Sequence, residues 1–196
     1  NDKFYDYLSK FGVGSKTGSG LPGESRGILP KVADWSGTSA PTMAFGQGYS
    51  LTAMQATSIF ATIANDGVRV SPTVIAGTRD SSGNFTPAPG RTSQRVISAE
   101  TAQVMRLMME SVVSGNGTAP SAAIPGYRVA GKTGTAQRID DTCGCYRGYT
   151  ASFIGFAPAD KPAYVISVTI QDPKGMHWGG VLGGPVFKKV MSFVLQ

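Results

Sequence analysis

Three runs, YRVAGKTGTAQ at residues 127–137, TASFIGFA at 150–157 and AYVISVTIQ at 163–171, determine the fold class. Each mixes β-branched and aromatic residues and is bounded by turn formers, the pattern of β-strands. Pro158-Ala159-Asp160-Lys161-Pro162 is short enough to join the last two as an antiparallel hairpin. Further on, Pro185 suits the first turn of a helix, with Val186, Phe187, Val190, Val194 and Leu195 as its apolar face. Strands followed by a helix that must bury one face predict an α+β domain, an antiparallel sheet flanked by helices.

Working back from these runs, Ser98 can cap a helix on which Met105, Met108, Met109, Val112 and Val113 share a face, and core packing is the expected role of that stripe. Gly115 and Gly117 end it. Val68–Thr78 and Phe85–Pro87 read as extended segments around a hairpin turn at Asp80-Ser81-Ser82-Gly83-Asn84. Thr52 and Gln55 fit a capping box at the start of a helix that Asn65-Asp66-Gly67 ends, Gly67 supplying a left-handed cap. Residues 1–50 are turn-rich, with Phe4, Tyr5, Tyr7, Leu8 and Phe11 on a short helix ending near Gly12.

Composition excludes several classes. The 196 residues suit one domain, and 41% hydrophobic with only 15% charged residues excludes disorder for the bulk of the chain. The net charge of +6 is spread out, its longest basic run being Lys188-Lys189, without the arm, aromatic interleaving or finger spacing of a nucleic-acid binder. A mild basic excess fits an anionic substrate or surface better. Two cysteines and one histidine cannot build an ordinary zinc site, and no apolar run reaches the roughly 18 residues of a membrane span.

The chemistry-bearing segment is Lys132-Thr133-Gly134-Thr135, inside the first strand-like run. A strand puts Lys132 and Gly134 on one face and Thr133 and Thr135 on the other. A cation and two hydroxyls beside a strand edge can hold a substrate carboxylate, and Gly134 lets another backbone lie close. The Thr135 backbone N–H, on the same strand, can serve as one oxyanion donor.

Leu21-Pro22-Gly23-Glu24-Ser25, Phe45-Gly46-Gln47-Gly48, Ala61–Gly67, Ala130–Gln137 and Ser152–Pro158 follow one another in that order. Together with the Lys-Thr-Gly signature they closely resemble the C-terminal part of the transpeptidase domain of class B, monofunctional, penicillin-binding proteins. The resemblance covers nearly the whole chain, so residues 1–196 are expected to be the C-terminal portion of a single transpeptidase domain. It implies a penicillin-binding, serine β-lactamase-like fold and a serine D,D-transpeptidase that cross-links peptidoglycan stem peptides and is acylated by β-lactam antibiotics. Lys132, Thr133 and Gly134 would then be catalytic, with Lys132 polarising the site. Thr133, Thr135, Ala136, Gln137 and Tyr149 would bind the substrate or antibiotic. The family implies no cofactor and no metal, an extracytoplasmic position anchored by an upstream helix, and partners in a cell-wall synthesis complex.

One departure matters. The family's nucleophile is a serine with a lysine three residues later, and no serine here has one. Its Ser-x-Asn motif has two chance matches, Ser82-Gly83-Asn84 and Ser114-Gly115-Asn116, both placed where turn geometry favours those residues. The nucleophile and its lysine are therefore expected in an upstream segment, and this chain alone is expected to be inactive. A β-lactam-sensing or degenerate module without turnover is the alternative, and a hydrolytic β-lactamase or carboxypeptidase a third reading. Cys143-Gly144-Cys145 could be a disulfide, a thiol pair or a metal contact. His177 reads as a rim histidine, Tyr149 and Trp178 as a cleft wall or ordinary packing, and Glu24 as the anchor of its own loop.

Overall fold

The computed structural model describes residues 1–140 and 142–196. In chain order it forms α1 (Asp2–Lys10), α2 (Ser39–Ala44), α3 (Ala53–Ala64), β1 (Val68–Val70), β2 (Gly77–Arg79), β3 (Phe85–Pro87), β4 (Ser93–Arg95), α4 (Ala99–Ser111), β5 (Ala130–Asp140), β6 (Cys145–Ala157), β7 (Tyr164–Gln171) and α5 (Gly179–Val194). The three long strands make an antiparallel sheet in the order β5-β6-β7, with Lys132 opposite Ile154 and Phe153 opposite Val168. The expected α+β layering is present.

Strand alternation divides the sheet into two faces, each with its own core. Phe153 packs edge-on against Phe187 of α5 at 4.9 Å, within a cluster that takes in Ile124, Val129, Ala157 and Met191. On the opposite face Ala130 and Phe156 meet Ile63 of α3 and Met109 of α4. Phe153, Phe156 and Phe187 are fully buried, each stabilising the fold by about 1.5–3 kcal/mol.

Local signals fix the ends of the elements. The capping box forms: the Gln55 N–H donates to Thr52 Oγ1 at 3.1 Å and the Thr52 N–H to Gln55 Oε1 at 2.8 Å. Gln55 does more than cap. Its buried Nε2 lies 2.8 Å from the carbonyls of Ser15 and Arg26 and 3.2 Å from that of Gly12, so it ties the N-terminal loops to α3. Gly67, at φ +80°, ends this helix by donating to the Thr62 carbonyl. The Asp80–Asn84 turn joins β2 to β3 as expected, its Asp80 carboxylate accepting the Ser82 and Asn84 N–H groups at 2.9 Å.

Three expectations are corrected. Val68–Thr78 is not one extended unit, because β1 pairs with β4 and only Gly77–Arg79 joins the hairpin. The methionine stripe is not one buried face. Ala102, Met109 and Val113 point inward, whereas Met108 is 60% exposed and Met105 lies at the margin. Pro185 is not in the first turn: α5 begins six residues earlier, at Gly179, and its buried face is Gly180, Gly183, Gly184, Phe187 and Met191, with Val186 and Val190 half-exposed. No helix among the described residues is long and apolar enough to cross a membrane.

Candidate active site

β5 is hydrogen-bonded to β6 along one side and, among the described residues, to no strand along the other. Its outer edge therefore offers alternate N–H and C=O groups to an extended ligand. Lys132, Gly134 and Ala136 lie on the face shared with α3, and Thr133 and Thr135 on the face shared with α5, as strand alternation requires.

Each side chain is held by a specific neighbour. Lys132 is exposed, and its ammonium donates to the Thr133 carbonyl at 3.0 Å, with Thr133 Oγ1 at 3.4 Å. Thr133 Oγ1 is also 3.1 Å from Thr118 Oγ1. Thr135 Oγ1 accepts the backbone N–H of Gly179, the first residue of α5, at 3.2 Å. The positive end of a 16-residue helix thus abuts the two threonines, a setting that favours a bound anion. Gly134 faces Ser152, whose hydroxyl would sit 2.4 Å from an added Cβ, so no larger residue fits without displacing it.

Gln137 is exposed and pairs with Tyr149 across the ladder. Tyr149 stacks on His177 at 4.1 Å with 9° between planes, and His177 lies 4.9 Å from Trp178. These three rings stand on the α5 side, two strand positions beyond Thr135. His177 is therefore part of an aromatic wall rather than an isolated rim residue. All seven candidates fall on two paired strands: Lys132 to Gln137 on β5 and Tyr149 on β6. Ser82 lies in the β2–β3 turn and Ser114 after α4, each in local turn hydrogen bonds.

Sequence reasoning missed the glycines that bring α5 onto the site. A Cβ on Gly179 would approach the carbonyl oxygens of Gly134 and Ser152 to 2.2 Å, and one on Gly180 the Thr118 carbonyl to 2.0 Å. The signal was available: Gly179, Gly180, Gly183 and Gly184 recur at i, i+1, i+4 and i+5, one face of a helix.

Elsewhere, the Glu24 carboxylate accepts the Thr17 hydroxyl, the Thr17 N–H at 2.7 Å and the Gly18 N–H at 3.2 Å, anchoring its own loop as expected. Cys143 and Cys145 are joined as a disulfide.

The family described as the penicillin binding protein transpeptidase domain matches residues 1–192. The chain belongs to the penicillin-binding protein transpeptidase domain family. Within it, the relatives are class B proteins. The penicillin-binding protein PbpB of Mycolicibacterium smegmatis is 44% identical over the whole of this chain and 32% of its own length. The peptidoglycan D,D-transpeptidase FtsI of Escherichia coli is 36% identical over 97% of this chain and 31% of its own length. The solved structure of penicillin binding protein 3 from Mycobacterium tuberculosis, complexed with aztreonam, superimposes with a TM-score of 0.93 at 42% identity, covering 100% of this chain and 46% of that one. The chain spans about a third of the length of the curated relatives it matches.

Proposed function

We propose that the intact protein is a peptidoglycan D,D-transpeptidase, a serine acyltransferase of the extracytoplasmic membrane face, and that residues 1–196 are the C-terminal part of its catalytic domain. The observation that carries this reading is the β5 edge, where Lys132, Thr133, Gly134 and Thr135 sit beside the N-terminus of α5.

In this reading an upstream serine, activated by a neighbouring lysine, attacks the penultimate D-alanyl carbonyl of a stem peptide. The peptide C–N bond breaks, terminal D-alanine leaves with a proton, and an amine of a second stem peptide takes the acyl group. A β-lactam enters the same step by opening its ring amide. Thr133 and Thr135 bind the carboxylate, reinforced by the α5 terminus. The Thr135 N–H stabilises the oxyanion and Lys132 supplies positive charge nearby. Gly134 and Ala136 leave room for the ligand backbone, while Gln137 and Tyr149, with its stacked partner His177, bound the side-chain end. A cell-wall synthesis complex would supply the protein partners.

The test is carboxylate recognition. With Thr133→Val and Thr135→Val combined in the intact protein, penicillins bearing a free carboxylate should acylate much more slowly, whereas carboxylate-esterified analogues should lose little. Because Thr135 also accepts the Gly179 N–H, the corresponding double serine variant controls for loss of that helix contact and should restore the rate. Equal losses for both ligand forms would remove the hydroxyls from carboxylate binding.

A further inference from the structure

The bridge between Cys143 and Cys145 lies at the end of the β5–β6 hairpin, away from the Lys132–Thr135 edge, and acyl transfer makes no use of it. Both residues are exposed. Gly144 between them takes φ +62°, which lets their Cα atoms approach to 5.2 Å, inside the ordinary span of a disulfide.

Three features distinguish this bridge from one that holds a fold together. It closes a very small loop, residues two apart, so it removes little entropy from the unfolded chain. It joins nothing that is otherwise separate. The Asp140 carboxylate already accepts the Thr142 N–H at 2.9 Å and the Thr142 hydroxyl at 2.5 Å, and pairs with Arg147 at 3.2 Å. The Asp140 carbonyl accepts the Gly144 N–H at 2.8 Å, and Asp140 is the ladder partner of Cys145. Finally, it is open to solvent, the condition under which disulfides are labile rather than inert.

Beside it runs a cleft of ≈ 380 Å³ lined by Arg138, Asp140, Thr142, Arg147, Asp172 and Lys174. Apart from Arg138, its charges are held in two solvent-accessible ion pairs, Arg147 with Asp140 and Lys174 with Asp172 at 2.6 Å, which a small molecule carrying both ammonium and carboxylate groups can meet with charges of opposite sign. We propose that Cys143–Cys145 is a thiol–disulfide exchange site whose substrate is a low-molecular-weight, zwitterionic thiol. A substrate thiolate attacks one sulfur, the Cys143–Cys145 bond breaks, and a mixed disulfide forms while the released cysteine thiolate takes a proton. A second substrate thiolate attacks the substrate sulfur of that mixed disulfide. It leaves as the symmetrical substrate disulfide, and the second cysteine thiolate is protonated. Two thiols are oxidised and one protein disulfide is reduced.

The test uses the intact protein in glutathione buffers of graded reduced-to-oxidised ratio, quenched with acid and read by intact mass after alkylation. The pair should be oxidised in air and titrate as one two-electron couple within the range that glutathione can set. Cys145→Ser or Cys143→Ser should trap one glutathione adduct. Oxidised and reduced forms should differ in melting temperature by less than about 2 °C. Cysteine should reduce the bridge about tenfold faster than uncharged 2-mercaptoethanol at equal thiolate concentration. A bridge that stays closed at the most reducing ratio, a large fall in melting temperature on reduction, or equal rates for the two thiols would each overturn the proposal. Acylation by a penicillin, measured alongside, reports separately on the transpeptidase reading.

Discussion

Lys132 uses its ammonium on the neighbouring Thr133 carbonyl at 3.0 Å and remains exposed. Its strand position suggests a buried cation, but nothing described covers it, so its value to the fold is small and the ammonium donors not given to Thr133 are available to a ligand. Lys132→Ala in the intact protein should therefore leave thermal unfolding nearly unchanged. Losing a charged transition-state contact costs on the order of 2–4 kcal/mol, roughly a 30- to 1000-fold fall in acylation rate by a fluorescent penicillin. Normal kinetics in a normally folded variant would sink that role. Glu24 is the opposite case, a carboxylate whose work is structural. The Thr17 hydroxyl above all holds its pKa below the ordinary glutamate range; burial is the next largest influence and opposes it, and the Thr17 and Gly18 N–H groups add to the lowering. A carboxyl that is more acidic when folded contributes fully above its unfolded pKa, and the contribution disappears as pH falls through the lowered folded value. Hydrogen exchange should show the Thr17 and Gly18 amides protected at neutral pH and released under acid. Glu24→Gln should expose them at neutral pH and erase the acid step. An unchanged exchange profile in the variant would show that the loop is held by something else.

Elements whose cause is local are the ones that were readable from the amino-acid sequence. Thr52 with Gln55, Gly67, the Asp80–Asn84 turn and the Pro158–Pro162 turn before β7 each carry their reason within a few residues. So did the site strand, since alternation alone puts Lys132 and Thr133 on opposite faces. What escaped depended on distant contacts. β1 finds its partner in β4, beyond an intervening hairpin. The stripe is split because Ala102 and Met109 of α4, with Val112 and Val113 just beyond its end, meet the core while Met108 stays exposed. Glycine propensity argues against a helix from Gly179, and close packing overrides it. That conflict yields a prediction for α5. Alanine for glycine in a helix gains about 1 kcal/mol of propensity. At Gly179 the new methyl would meet two backbone carbonyls at 2.2 Å, which cannot swing aside as a side chain could. Overpacking of this kind costs about 1–3 kcal/mol and should win. Gly179→Ala should lower stability to denaturant and slow acylation together, by lifting the helix from Thr135. Val181→Ala, half-exposed on the same helix, should do neither. Retained stability and acylation in Gly179→Ala would mean that α5 can shift without disturbing the strand.

At the scale of the molecule, the described residues include two helix faces with exposed apolar side chains and two open edges of the main sheet. Val104, Leu107 and Met108 on α4, and Val181, Val186, Val190 and Phe193 on α5, are all more than two-fifths exposed. β5 and β7 form the outer edges of the main sheet as described. Contiguous exposed apolar surface and unpaired edges are aggregation hazards when nothing covers them. The 196-residue chain on its own should therefore be poorly soluble or marginally stable, and co-expression with the upstream part of the protein should rescue it. It should also form no covalent adduct with a fluorescent penicillin. Acylation needs a hydroxyl activated by a neighbouring base, and no serine here is followed three residues later by lysine. The one histidine, His177, is stacked on Tyr149 and tilted against Trp178, and the polar contact of its ring is with the Gly175 carbonyl at 3.3 Å. Labelling followed by denaturing electrophoresis and intact mass, with and without the upstream part, decides the matter. An adduct that appears only with the upstream part places the nucleophile there. A stoichiometric adduct on the chain alone, mapped to Ser82 or Ser114, would instead make one of those turn serines a nucleophile and overturn the division of labour on which the proposed mechanism rests.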